Sequence, residues 1–285
     1  MKKDPGMVPP AGCHSGHQGN PSMNDDCGMS VLVDATTWSA GAATQKQAPI
    51  ATEVPFTIMA GDLELATLLV TPQDLKVLTI GYLYSSGFIA DAGEVRSIAI
   101  DRERWVAWTE LAREPDPAIM RKRVYSASCG RCAIYSSLVE TGMRSPCPAA
   151  LRMTPAQIGE AAAWIESAST TFTKTGGVHA AGFFDPVSDD RFVFEDVARH
   201  NAVDKAIGHG LLEGCALSRW ALVRTGRTSS EILFKTRRCG SPITVARGAP
   251  THQAVLLARE LGITLVGFAR GNEFTVYAHC ERISG

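Results

Sequence analysis

From Trp220 to the end of the chain, short apolar runs alternate with helix-length amphipathic ones: "WALV", "SSEILFKTRR", "ITVA", "THQAVLLARELG", "ITLVGF". This order reads as β-α-β-α-β, because each apolar run has strand length and the segments between them repeat at helical spacing. Consecutive strands joined through helices must lie parallel, so the pattern implies a sheet whose faces are covered by helices. In such sheets the loops after the strands open on one rim, where ligands usually bind. Three loops fall there: "RTGRTS" (224–229), "RGAPT" (247–251) and "ARGNE" (269–273). Each carries an arginine and a glycine, and the first two run into helix N-termini, which favour anions. The rim therefore reads as suited to phosphate.

The chain has 285 residues, 45% of them hydrophobic, which is room for one large domain or two smaller ones. The first thirty residues are rich in Gly, Pro, Asn and Ser, and residues 1–48 are expected to form a flexible tail. Cys13, His14, His17 and Cys27 are metal-capable, but their spacing matches no common zinc pattern. A smaller α+β lobe is expected over 49–120. In it, "IATEVPFTIM" and "DLELATLLV" flank a Gly61-Asp62 turn, Thr71 caps a helix opened by Pro72 and closed by Gly87, and "VRSIAI" adds a strand. The second lobe, 121–285, follows a linker, "REPDPAIMRKR". It opens with a capping-box start at Thr154, Pro155 and Gln157, and "VHAAGFF" and "RFVFE" form a strand pair.

A formal charge of -1 and an isoelectric point near 6.7 give no global attraction to nucleic acid or anionic membrane, so an acidic ligand must be met locally. No apolar run approaches the roughly 20 residues that cross a bilayer, and Lys2 and Lys3 lead into Pro, Gly and His instead of a secretory core. A cytoplasmic protein is expected. Its eight cysteines are mostly scattered and do not form a disulfide framework, so they should be reduced.

Chemistry-bearing residues are densest in "TGGVHAAGFFD" and "EDVARHNAVDKAIG". Read as a helix from Asp196, the second segment puts Asp196, His200 and Asp204 on one face, with Asn201 and Lys205 beside them. A solvated amphipathic face is the plainer account. His179 reads most simply as a hydrogen-bonded core histidine. "VHAA" is similar to the H-x-E of zinc nucleoside deaminases, but Ala181 stands at the glutamate position and the cysteine pair precedes the histidine, so deamination is rejected. That pair, Cys129 and Cys132 in "SCGRC", allows three readings. Zinc is the weakest, since no second close pair exists. A thioredoxin-like disulfide shuttle fits locally, because a helix N-terminus lowers a thiol pKa. Sulfur carriage, with Cys129 as a persulfide that Cys132 attacks or positions, fits as well.

In order, "CGRC", "TGGVHAAGFFD", "EDVARHNAVDKAIG", "GRTSSEI" and "LGITLVGFARGNEFTVY" resemble the formate dehydrogenase accessory sulfurtransferase family, FdhD, from about Pro49 to the C-terminus. The resemblance implies an α/β (α+β overall) protein with a cytidine deaminase-like α/β/α core and a smaller N-terminal lobe. It implies a sulfurtransferase that takes sulfur from an IscS-type cysteine desulfurase and passes it to the bis-guanine-dinucleotide molybdenum cofactor of formate dehydrogenase, with no resident metal. Cys129 and Cys132 map onto the family's cysteine pair. Phe268, Ala269, Arg270, Gly271, Asn272 and Glu273 map onto its guanine-dinucleotide loop. His179, Asp196 and His200 are expected to shape the sulfur path, and Arg227 and Ser229 to help hold the cofactor. Arg131, Ala133 and Ala198 depart from the family's usual residues, the last replacing a glycine. A cofactor-binding chaperone without sulfur chemistry and a disulfide oxidoreductase are the alternatives. The sequence does not decide oligomeric state, although a homodimer suits a two-lobed carrier.

Overall fold

The computed structural model describes residues 28–116, 146–147 and 151–285. The first elements are β1 (Ser30–Ser39) and β2 (Ala42–Ala51), paired antiparallel along their whole length. Ala40 and Gly41 turn the chain, both at positive φ (50° and 83°), as a two-residue hairpin loop requires. This corrects the expected tail through residue 48. The Gly- and Pro-rich composition belongs to the residues before Ser30, whereas "SVLVDATTW" carries the β-branched and aromatic residues of a strand. Residues 1–27, with Cys13, His14, His17 and Cys27, lie outside the described residues.

The smaller lobe comprises β3 (Val54–Ala60), β4 (Leu63–Val70), α1 (Leu75–Ser85), β5 (Val95–Asp101) and β6 (Val106–Leu111), in the sheet order β4-β3-β6-β5. Alternation along β3 points Val54, Phe56, Ile58 and Ala60 at the core, where Leu75, Leu78 and Leu83 of α1 close over them. The Gly61 turn forms as expected. Strand β6 was not anticipated; it joins β3 in parallel and β5 antiparallel. The helix start also differs. Asp74 is the N-cap, left-handed at φ 57° and without a side-chain cap bond, because the Thr71 hydroxyl is engaged by the other lobe.

The larger lobe begins with α2 (Pro155–Ala168), held by the Thr154/Gln157 capping box, and α3 (Thr170–Thr175). Then come β7 (His179–Phe184), β8 (Arg191–Asp196), α4 (Arg199–Leu212), β9 (Ala221–Arg224), α5 (Ser230–Arg238), β10 (Ile243–Ala246), α6 (His252–Leu261), β11 (Thr264–Arg270) and β12 (Glu273–Ala278). The sheet order is β12-β11-β10-β9-β7-β8, with β9, β10 and β11 parallel. Ile158, Ala162 and Ile165 of α2 cover one face through Val223, Val245 and Val266. Helix α4 covers the other through Ala181, Phe183 and Leu222, and α5 and α6 continue that layer over Leu265. The result is the expected α/β/α core, α+β overall with the smaller lobe.

The lobes meet where α1 crosses α4 at Gly81 and Gly208. A Cβ on Gly81 would lie 1.7 Å from the Asp204 carbonyl oxygen, and one on Gly208 would lie 1.9 Å from that of Val77, so only bare backbone fits. Two buried carboxylates flank the crossing. Asp196 Oδ2 accepts from Thr71 N (3.1 Å) and Oγ1 (2.9 Å) and lies 2.8 Å from Lys205 Nζ. Asn201 Nδ2 donates to both Asp196 Oδ1 and the Leu69 carbonyl. Asp204 Oδ1 accepts from Ser85 Oγ and Lys235 Nζ, each at 2.6 Å. Hence Asp196 ends β8 instead of opening a helix, and the α4 face that was read as solvated is buried.

A buried ion pair broken on one side leaves an uncompensated charge, which costs roughly 3–5 kcal/mol. Lys205→Met is expected to lower stability by about that amount in urea denaturation, whereas substitution of the exposed Lys76 should leave it nearly unchanged.

Candidate functional site

The parallel strands β9, β10 and β11 end at Arg224, Ala246 and Arg270, so the three loops anticipated on one rim lie side by side. They are bonded to one another: Thr228 N donates to Ala249 O (3.0 Å), Thr251 N to Thr228 O (2.9 Å) and Arg247 N to Arg224 O (3.1 Å). Gly248 permits this contact, because a Cβ there would meet Arg227 N at 2.8 Å. Strand β7 is antiparallel to β9, which brings its first residue, His179, to the same rim. Of the two helix N-termini on the rim, that of α6 is capped by Thr251 Oγ1, whereas that of α5 has no side-chain cap.

Arg224 is the central charge and was not singled out as a site residue from the sequence. Its side chain is buried, and among the described residues no carboxylate pairs with it. Nη1 donates to the carbonyls of Gly226 (2.8 Å) and Arg227 (3.0 Å), Nη2 donates to Thr228 Oγ1, and Nε has no partner. Burial, followed by the nearby Arg199, pulls its pKa down to about 9, which still leaves it charged at neutral pH. The guanidinium thus moulds the 225–228 loop while adding uncompensated positive charge to the rim.

His179 faces that charge. It is half-buried and lines a cavity of about 370 Å³ between the lobes, with Leu68 and Leu69 of β4 and Val197, Arg199 and Asn201 on the opposite wall. It is therefore a cavity residue and not a core histidine. Burial, then the charges of Arg199, Arg224, His200 and Arg227, hold its pKa below the usual histidine value. The potential that repels a proton here attracts an anion. His200 is also depressed, mainly by burial, although Glu231 opposes the shift. Its Nε2 is 2.8 Å from Glu231 Oε2 and 3.4 Å from Ser229 Oγ. A carboxylate can only accept, so Nε2 carries the hydrogen and Nδ1 the lone pair of the neutral ring.

The residues expected to form the guanine-dinucleotide loop span the end of β11 (Phe268, Ala269, Arg270), the turn (Gly271, Asn272) and the start of β12 (Glu273). Phe268, Arg270, Gly271, Asn272 and Glu273 are exposed, and Ala269 is buried. Phe268 has φ 52° and is 46% exposed, a costly combination for a bulky aromatic, which normally shuns both left-handed backbone and water. A register shift between Gly267 and Arg270 enforces it, and Gly159 of α2 packs so closely that a Cβ would lie 2.7 Å from Gly271 O. Arg227 is exposed on the neighbouring loop, and Ser229 is the half-buried N-cap of α5. Ala198 has φ −104°, so no glycine is needed there.

Asp196 is corrected from a cofactor contact to a lobe tie, since its carboxylate is fully buried and occupied. Cys129 and Cys132 lie outside the described residues. Arg199, Arg224 and Glu231 join the site without having been anticipated. Arg224 stood in view as the first residue of a basic loop, but nothing in the sequence says that it turns inward.

Fold and site together define a two-lobed protein with an α/β/α core and an arginine-bearing rim beside an interlobe cavity. The chain belongs to the FdhD/NarQ family, which it matches over residues 51–284. It is 32% identical to the sulfur carrier protein FdhD of Bacillus subtilis over 263 residues, covering 92% of this chain and 99% of that one. It is 35% identical to the Staphylococcus aureus (strain JH9) protein of the same name over 235 residues, 81% of this chain and 88% of the other. The crystal structure of a putative formate dehydrogenase accessory protein from Desulfotalea psychrophila superposes with a TM-score of 0.73 at 25% identity, covering 90% of this chain and all of that one.

Because both histidines have folded pKa values below the unfolded one, the unfolded chain binds more protons between the two. Their contribution to stability is complete above about 6.5 and is lost as pH falls through the folded values. Imidazole NMR should find both rings neutral at pH 7, with His200 in the Nε2–H tautomer. A polyphosphate bound at the rim should raise the His179 pKa.

Proposed function

We propose that this protein is a sulfur carrier serving formate dehydrogenase. Cys129 accepts a sulfane sulfur from a cytoplasmic cysteine desulfurase and delivers it to a molybdenum cofactor whose guanine dinucleotide is held at the rim. The observation that carries this reading is the set of arginines whose charges bear on His179, on a rim whose β11 end also presents an exposed aromatic, Phe268. Arg199, Arg224 and Arg227 suit a pyrophosphate, and Phe268 suits the face of a purine. The relatives' names supply the sulfur chemistry.

The chemistry balances without an external oxidant. The Cys129 thiolate attacks the outer sulfur of the donor's persulfide, so one S–S bond breaks as another forms, and the donor leaves as a thiolate. Attack of the Cys132 thiolate on the inner sulfur of the Cys129 persulfide then forms a Cys129–Cys132 disulfide and releases hydrosulfide. That ion is a ligand ready for molybdenum, and a cellular thiol reductant resets the pair. In this scheme the rim holds the substrate by its nucleotide ends, and His200, fixed by Glu231, offers Nδ1 as a neutral acceptor.

After incubation with a desulfurase and cysteine, mass spectrometry of the 129/132 peptide should gain one sulfur, and Cys129→Ala should fail to restore formate dehydrogenase activity in a deletion strain. Restoration by Cys129→Ala, with failure of Arg270→Ala, would instead favour a cofactor chaperone. Insulin reduction would favour a disulfide oxidoreductase. Separately, Phe268→Ala should weaken GDP binding in calorimetry by about 1–3 kcal/mol, the worth of one stacked base, while leaving sulfur loading intact.

A further inference from the structure

Arg247 has no place in the scheme above, although it stands in the middle of the rim. It follows β10 directly, and its Nη1 lies 2.6 Å from Glu166 Oε1 of α2. Arg224 and Arg270, which end the flanking strands β9 and β11, have no carboxylate partner among the described residues. The pair that occupies Arg247 is weakly founded. Glu166 is 55% exposed and stands two residues before the end of α2, where the helix dipole opposes a negative charge. Arg247 keeps 23% of its side chain exposed, and its buried Nε has no hydrogen-bond partner, so the guanidinium is only partly used. An exposed ion pair of this kind contributes little, in contrast to Lys205 and Asp196, both sealed from water.

The position of Arg247 gives that weakness a use. Strand β10 lies between β9 and β11, and neighbouring strands are about 4.8 Å apart, so the ends of the outer two are about 10 Å apart. A nucleotide with its base on Phe268 and its phosphates by Arg227 must therefore cross the end of β10. Gly248 presents no side chain there, which leaves Arg247 as the charge beside the crossing.

We infer that Arg247 exchanges partners, leaving Glu166 for a phosphate oxygen when a nucleoside diphosphate binds. This rests on the reading of the rim as a nucleotide site. Glu166 is then a specificity-determining residue. It occupies Arg247 in the empty protein, so a ligand gains that contact only by offering an anion that outcompetes a single carboxylate. A diphosphate does so through its greater charge and its several acceptor oxygens.

Calorimetric titration of the full chain with GDP tests the exchange. Arg247→Gln should weaken binding about tenfold, the loss of a charge-assisted hydrogen bond. Glu166→Gln should tighten binding by up to about fivefold, the worth of an exposed ion pair, and misfolding cannot produce such a gain. In the double variant the gain should vanish. Unchanged affinity in Arg247→Gln or the absence of a gain in Glu166→Gln would overturn the inference. So would a gain that persists without Arg247, which would make Glu166 a simple repulsive charge. Failure of the wild-type protein to bind GDP would instead remove the nucleotide reading, and the inference with it.

Discussion

The Asp196 carboxylate, sealed from water at the junction of the lobes, is the contact on which the rest of the architecture depends. Its partners come from both lobes: Thr71 ahead of α1, and Lys205 and Asn201 within α4, the latter also holding the end of β4 through the Leu69 carbonyl. An ion buried this way is tolerated only when its hydrogen-bonding capacity is filled, so the lobes dock in one arrangement or not at all. The second carboxylate, Asp204 within α4, repeats the arrangement with Lys235 and Ser85. Together they make the interlobe seam polar and unforgiving where most domain junctions are loose.

That rigidity gives the rim its electrostatic character. The Arg224 guanidinium is held by carbonyl oxygens and, among the described residues, has no carboxylate partner, and the loop that presents Arg227 and Ser229 is shaped by the same bonds. Fixed dipoles and charges that need no rearrangement when a ligand arrives bind it at lower reorganisation cost. Phe268 is fixed in the same sense, with its left-handed backbone held by the register shift of the β11–β12 pair.

Much of this was legible in the residues. Short β-branched runs separated by amphipathic ones can form little other than a helix-covered parallel sheet, so the positions of the three loops followed from strand order alone. The capping box at Thr154 is a purely local device and was readable as such. What escaped was decided at long range. Thr71 has the look of a helix cap, and Asp196 looks like the first turn of a helix, but the pairing of each with the other, 125 positions apart, outweighs the local preference. The inward turn of Arg224 is equally non-local. The β1–β2 ribbon escaped for another reason: its strand-forming residues adjoin a polar stretch whose composition dominated the reading.

The crossing of Gly81 and Gly208 bears on what the protein can accept. One wall of the cavity belongs to β4 and the other to the start of α4, and the distance between them is referred to that crossing. Two absent methyl groups, some way from any ligand, thus act as a gauge block for the slot. Relatives that kept every residue of the rim but thickened this joint would admit a different class of molecule, so selectivity in such proteins can drift without a change in the binding residues.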